Sequence, residues 1–233
     1  QRQMCIRDSC ETVNKAFVEL YRSGKIYRGY RLVNWDPILK TAVSDLEVVR
    51  QEKEGVIWHI NYPLVDSSEK VTVATTRPET MFGDMAVAVN PKDKRYQKFI
   101  GKYVELPFVG RKIPILGDDY VDMEFGTGCL KITPGHDFND YEIGKKYALH
   151  QVSDTVEISE DTEKFEPINI FTDEAFTNDE VPKDFANLDR FKVRKVVLEK
   201  LKEQNLLAKE EKHVISVPRG ESCLLYTSDA ADD

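Results

Sequence analysis

Long apolar runs are missing from this sequence. The longest purely apolar stretch is Met85–Val89, far short of the roughly 18 residues a membrane-crossing helix needs. No basic segment followed by an apolar one opens the chain, so a secretory leader is not expected. Both absences point to a soluble protein of the cytoplasm. Cysteine is scarce, with 4 in 233 residues. Cys5, Cys10 and Cys223 lie near the ends and only Cys129 is internal. Without a Cys-x-x-Cys pair, neither a disulfide framework nor a structural zinc is expected. Basic side chains are outnumbered, with 33 Lys and Arg against 41 Asp and Glu, a net charge of −8. That balance excludes a protein that coats nucleic acid or anionic membrane non-specifically, while leaving room for a local basic groove. Neither DNA nor a membrane is an expected partner.

What is present suits a globular chain. Hydrophobic residues make up 41% of the sequence, enough to bury a core, and the length allows one or two domains of roughly 100–200 residues. The ends differ from the rest. Residues 1–10 and 223–233 show no helical or strand period and resemble translated sequencing-adaptor sequence; both are set aside as foreign, and the interior is expected to be cut from something longer. Val13, Ala16, Phe17, Leu20 and Tyr21 recur at helical spacing, which predicts a helix over 12–23 stopped by Gly24. Tyr27–Trp35 reads as a strand ended by Asp36-Pro37.

From about residue 50 the pattern turns to strands. Val56, Trp58, Ile60 and Tyr62 alternate with polar residues, and Val71–Thr75, Met85–Val89, Tyr103–Leu106, Lys112–Leu116 and Cys129–Thr133 are further β-rich runs. Many short strands between turn signals predict a barrel-like sheet. Helices are expected just after Pro91, near 137–148 and near 187–205. In the last, Val193, Val196, Val197 and Leu201 share a face, with Arg190, Arg194, Lys195 and Lys202 mostly in solvent. Gln151–Glu166 is polar and acidic and reads as a surface insertion or mobile loop. The fold class is therefore α+β.

Three segments could carry chemistry. Ala74-Thr75-Thr76-Arg77-Pro78-Glu79-Thr80 follows a strand and sets hydroxyls beside an arginine able to bind carboxylate, phosphate or a base edge; it could equally be a strand-to-turn junction with a surface ion pair. Glu124-Phe125-Gly126-Thr127-Gly128 could bring backbone amides close to a ligand, although an ordinary hairpin accounts for it more simply. It matches neither a dinucleotide fingerprint nor a Walker loop. In Gly135-His136-Asp137-Phe138-Asn139-Asp140-Tyr141-Glu142 the two aspartates, three apart, could share the face of a starting helix, or Asp137 could simply cap it. His136-Asp137 could suggest a metal-dependent phosphohydrolase, but with only His59, His150 and His213 besides, the ligands for it are too few, and no metal is expected. Carboxylates beside helix-terminal amides should have lowered pKa values, which makes them feeble bases near neutral pH and good anchors for an ammonium group.

Taken in order, RLVNWDPILKTAVSDLEV, VATTRPETMFGDMAVAVNP and EFGTGCLKITPGHDFNDYEIG resemble the valine–tRNA ligase family of class I aminoacyl-tRNA synthetases over about 12–222. Leucine enzymes are similar around Thr-Arg-Pro and isoleucine enzymes around Pro-Gly-His, so an editing domain from either remains an alternative. Gly135 stands where the valine family often has alanine. The resemblance implies a catalytic-domain piece at 11–49 of Rossmann type, an editing domain at 50–217 and a return towards the catalytic domain at 218–222. It implies hydrolysis of threonine wrongly attached to tRNA(Val), with the acceptor end of that tRNA as partner and a monomeric protein. Thr75, Thr76, Arg77 and Thr80 would line the pocket and position the terminal adenosine, and Phe125 would pack on the substrate. Lys131 and Thr133 would form the floor, Asp140 would hold the α-ammonium, and Asp137 would read the threonine hydroxyl. No cofactor is implied for this piece. The parent enzyme would use ATP with magnesium, but the family's His-Ile-Gly-His and Lys-Met-Ser-Lys-Ser motifs do not occur here, so valine activation is not expected of it. A module that binds the acceptor end without hydrolysis, or an inert truncation, are the other readings.

Overall fold

The computed structural model describes residues 2–26 and 31–220. The chain divides into two compact units between Arg31 and Leu32. In the first, helix α1 spans Arg2–Arg22, ten residues further towards the N-terminus than the apolar spacing predicts. No glycine or proline interrupts residues 2–22, so nothing in the backbone stops the helix from continuing through the segment set aside as unpatterned. It ends as expected: Gly24 takes φ +70°, and the Lys25 amide turns back to the Leu20 carbonyl at 2.9 Å, a left-handed helix stop. Val13, Phe17 and Tyr21 remain exposed.

The second unit opens with a hairpin of β1 (Asn34–Asp36) and β2 (Thr41–Val43). Of the strand expected over Tyr27–Trp35, residues 27–30 lie outside the described residues, and only its end is strand. The hairpin is tied to the body of the unit: Trp35 Nε1 donates to the Asp173 carbonyl at 2.9 Å, and Lys40 pairs with Glu174. The division into compact units falls before this hairpin.

A long strand, β3 (Val48–Pro63), pairs antiparallel with an equally extended β11 (Leu207–Gly220). Where Val48–Gly55 meets His213–Gly220 the two form a ribbon with largely exposed side chains. Beyond Ile57, β3 enters the core and also gains β4 (Lys70–Thr75), with Trp58 opposite Thr75. Ile60, Tyr62, Val71 and Val73 are fully buried there.

The larger sheet runs β8 (Cys129–Ile132), β5 (Ala86–Val89), β7 (Lys112–Gly117), β10 (Thr155–Glu157), β9 (His150–Val152), with β6 (Tyr103–Glu105) also on β7. Strands β5 and β7 are parallel and β8 runs antiparallel to β5. Among the described residues this path is open, so the architecture is mixed α and β with separate sheets, and the barrel-like closure expected from the strand count is not seen. The segment Gln151–Glu166 is no loose insertion. It contributes most of the β9–β10 hairpin, whose Val156 is fully buried while Val152 stays exposed; one buried apolar side chain was enough to seat the hairpin.

Helices α2 (Phe138–Lys146) and α3 (Arg190–Glu203) lie where the periodicity places them. After Pro91 there is only a 3-10 turn, Gln97–Phe99. The α3 face of Val193, Val197 and Leu201 is fully buried, but its arginines depart from expectation. Arg190 is buried, and Arg194 grips Glu79 with both nitrogens, Nε–Oε2 at 2.7 Å and Nη2–Oε1 at 2.5 Å. Phe185 packs between Phe82 and Phe108, with ring centroids 4.8 and 5.3 Å away. The core thereby holds the Thr-Arg-Pro turn from below.

Candidate functional site

One cavity of about 610 Å³ collects Thr75, Thr76, Arg77, Thr80, Phe125, Lys131, Thr133, Asp137 and Asp140, each residue singled out from the sequence. Its size is that of a small-molecule site. Local structure explains the convergence. Proline at position 78 ends strand pairing after β4 and starts a buried 3-10 turn, Pro78–Gly83, which returns Thr80 towards the strand end. On β8, alternation puts Cys129 and Lys131 on one face, and Thr133 follows directly after the strand. Asp137 begins α2 as its N-cap, accepting from the amides of Asn139 (2.8 Å) and Asp140 (3.0 Å), so the capping explanation is correct for it, and it lines the cavity as well.

The Gly-x-Gly segment is not a hairpin. It belongs to the connection that carries the chain from β7 past β5 to β8. Gly128 has φ +75°, and a Cβ there would lie 2.6 Å from Arg95 Nη2, so this turn needs glycine. It presents Phe125, 60% exposed, beside His213 of β11, with centroids 6.1 Å apart. At Gly135 a Cβ would sit 2.2 Å from the Ile168 carbonyl oxygen, so in this chain the segment at 168 packs on bare backbone.

Arg77 is buried. Its Nη1 donates to the His136 carbonyl at 3.1 Å and its Nε lies 3.8 Å from Glu79 Oε1, which makes Glu79 the link between Arg77 and Arg194. His136 is part of the scaffold: its Nε2 accepts from the Ile170 amide at 3.1 Å. Among the described residues no group of three or more His, Cys, Asp or Glu could hold a metal ion, and no helix is long and apolar enough to cross a membrane.

The electrostatics correct one expectation. Asp140 Oδ2 accepts from the Thr133 amide at 2.8 Å, yet its pKa is pushed up to about 8, by burial first and by Asp137 next, against the pull of Lys131 and that amide. Desolvation outweighs Lys131 and the Thr133 amide. Cys129 is raised to about 12, chiefly by burial, so its thiol stays protonated and is no nucleophile near neutral pH.

Sequence reasoning passed over Asp84 and Tyr62, both fully buried. Asp84 accepts from Lys131 Nζ at 3.0 Å, Thr133 Oγ1 at 2.6 Å and the Tyr62 hydroxyl at 2.7 Å. The signal was available: an aspartate inside the otherwise apolar Met81-Phe82-Gly83-Asp84-Met85-Ala86 is a candidate buried charge. Tyr120 and His213, also on the cavity wall, carried no such mark.

The family model of class I tRNA synthetases (I, L, M and V) matches residues 5–219, and the chain belongs to that family. Within it the chain is similar to valine–tRNA ligases: 52% identical over 211 residues to that of Francisella tularensis and 53% over 209 residues to that of Legionella pneumophila, covering 91% and 90% of this chain and 21% of each relative. The enzyme of Neisseria gonorrhoeae is 52% identical, with 91% of this chain and 22% of the relative covered. The chain thus spans about a fifth of the length of these relatives. A solved structure described as GlLeuRS-CP1 aligns with 66% of this chain and 98% of its own at 15% identity and a TM-score of 0.48.

Proposed function

We propose that this cavity hydrolyses an aminoacyl ester on the acceptor end of tRNA, removing threonine wrongly attached to tRNA(Val). The observation that carries the proposal is the gathering of Arg77, Thr80, Lys131, Thr133 and Asp140 around one cavity. Asp140 takes the α-ammonium of the amino acid. In the empty site its carboxyl holds a proton near neutral pH; an arriving ammonium supplies the counter-charge that burial denies it, so the ligand binds as the proton leaves. The hydroxyls of Thr80 and Thr133 lie in the same cavity, which Asp137 joins at the helix start. Thr75, Thr76 and Arg77, with Phe125 at the rim, meet the terminal adenosine. The attacking group is water, held against the ester carbonyl with help from a ribose hydroxyl of the tRNA, and no cofactor enters the step. The whole ligase, using ATP with magnesium, would supply the charged tRNA.

The test is deacylation of threonyl-tRNA(Val) and valyl-tRNA(Val) by the chain and by its Asp140→Ala variant. Faster loss of threonine than valine, abolished by the substitution, is expected. Hydrolysis indifferent to Asp140→Ala overturns the anchor, and tRNA binding with no hydrolysis leaves a module that only holds the acceptor end.

A further inference from the structure

Beneath the cavity lies a carboxylate that none of these roles uses. Asp84 does not line the cavity, yet it holds two side chains that do. Their protons can be assigned one by one. The Lys131 ammonium has three N–H donors, and its partners are Thr80 Oγ1 at 3.0 Å, Asp84 Oδ1 at 3.0 Å and Thr133 Oγ1. Thr133 Oγ1, already accepting from Lys131, gives its one proton to Asp84 Oδ1. Thr80 Oγ1 gives its proton to the Arg77 carbonyl at 3.0 Å. On the far side the Tyr62 hydroxyl donates to Asp84 Oδ2. Every donor of Lys131, Thr80 and Thr133 is therefore spent within the protein. Each threonine oxygen keeps one lone pair beyond the one Lys131 occupies.

We propose that Asp84 is a positioning residue: by drawing the protons of Lys131 and Thr133 downward it makes Thr80 Oγ1 and Thr133 Oγ1 an acceptor pair for a hydroxyl on the side chain of the bound amino acid. The proposal rests on the reading of the cavity as an aminoacyl-ester site and adds how that site tells an alcohol from a methyl group. A hydroxyl donates its one proton to an oxygen of the pair, whereas a methyl in its place leaves both buried lone pairs without a donor. Without an acceptor at 84, an N–H of Lys131 and the proton of Thr133 turn free, and the floor accepts and donates alike.

The experiment uses the full chain and two probes, the non-hydrolysable 3′-amide analogues of threonyl-adenosine and valyl-adenosine, with deacylation of the two charged tRNAs alongside. Asp84→Leu, close in size but without an acceptor, should cut the preference for the threonyl probe at least tenfold, mainly by weakening that probe. Asp84→Asn, which keeps an acceptor oxygen for Lys131 and Thr133, should restore the preference to within about threefold of the parent chain. A folded Asp84→Leu protein with its preference intact, or Asp84→Asn as impaired as Asp84→Leu, overturns the proposal. If Asp84→Leu does not fold, Thr80→Val and Thr80→Ser decide: the preference should fall with valine and persist with serine, and any other pattern overturns it. A parent chain that binds neither probe and deacylates neither tRNA defeats the aminoacyl-ester reading itself. A parent chain with a preference that Asp84→Leu retains defeats only the role of Asp84.

Discussion

Asp140 should make the protein less stable as pH rises, the reverse of the usual aspartate. Its pKa rises from the ordinary 3.8 to about 8 in the folded protein. At about 1.36 kcal/mol per pH unit, that difference is on the order of 6 kcal/mol. The sign follows from proton counting. Between about pH 4 and pH 8 the folded state holds a proton at Asp140 that the unfolded state has released, so the stability to unfolding falls with pH. The contribution is whole below the unfolded pKa and is lost as pH climbs through 8. The slope approaches about 1.4 kcal/mol per pH unit within that window. Denaturant unfolding at pH 5, 6, 7, 8 and 9 should be compared with Asp140→Asn, which cannot titrate. The parent chain is expected to lose ground to the variant by several kcal/mol over this range, and the variant to be the more stable at pH 9. Parallel curves would show that burial does not govern this carboxyl. A parent chain that gains on the variant with rising pH would restore the lowered pKa expected from the helix terminus.

Other substitutions probe the supports of the cavity. Glu79→Gln removes the charge that Arg194 and Arg77 share and should cost about 3 kcal/mol, since a buried charge loses its partner; urea unfolding measures this, and the KM for charged tRNA should rise as Arg77 loosens. Phe82→Ala, in the fully buried stack with Phe185, should cost about 3–5 kcal/mol in the same assay. Asp137→Ala should cost about 1 kcal/mol through loss of the N-cap of α2, visible as a lower Tm.

Much of the site was legible because its residues are local in sequence. Thr75 to Thr80 follow a strand cut short by Pro78; Lys131 lies on a strand that Thr133 directly follows; Asp137 and Asp140 sit a turn apart where α2 begins. Period and spacing put each group on its element, and the family resemblance brought them together as one candidate site. The hairpin in Gln151–Glu166 was not legible, because its strand identity comes from β7 alongside and from a single buried valine. The inward turn of Arg194 was hidden for the same reason, since its partner Glu79 stands more than a hundred residues away.

The sequence by itself placed most of the core strands and helices α2 and α3, because proline, glycine and apolar period act through the nearest few bonds. It also determined which side chains stand ready at their ends. Only the tertiary structure decided the protonation and pairing of those groups: that Asp140 holds its proton, and that Lys131 spends its donors on Thr80, Asp84 and Thr133. Desolvation and hydrogen-bond partnership are set by which distant segments close over a group, and no local pattern carries that information.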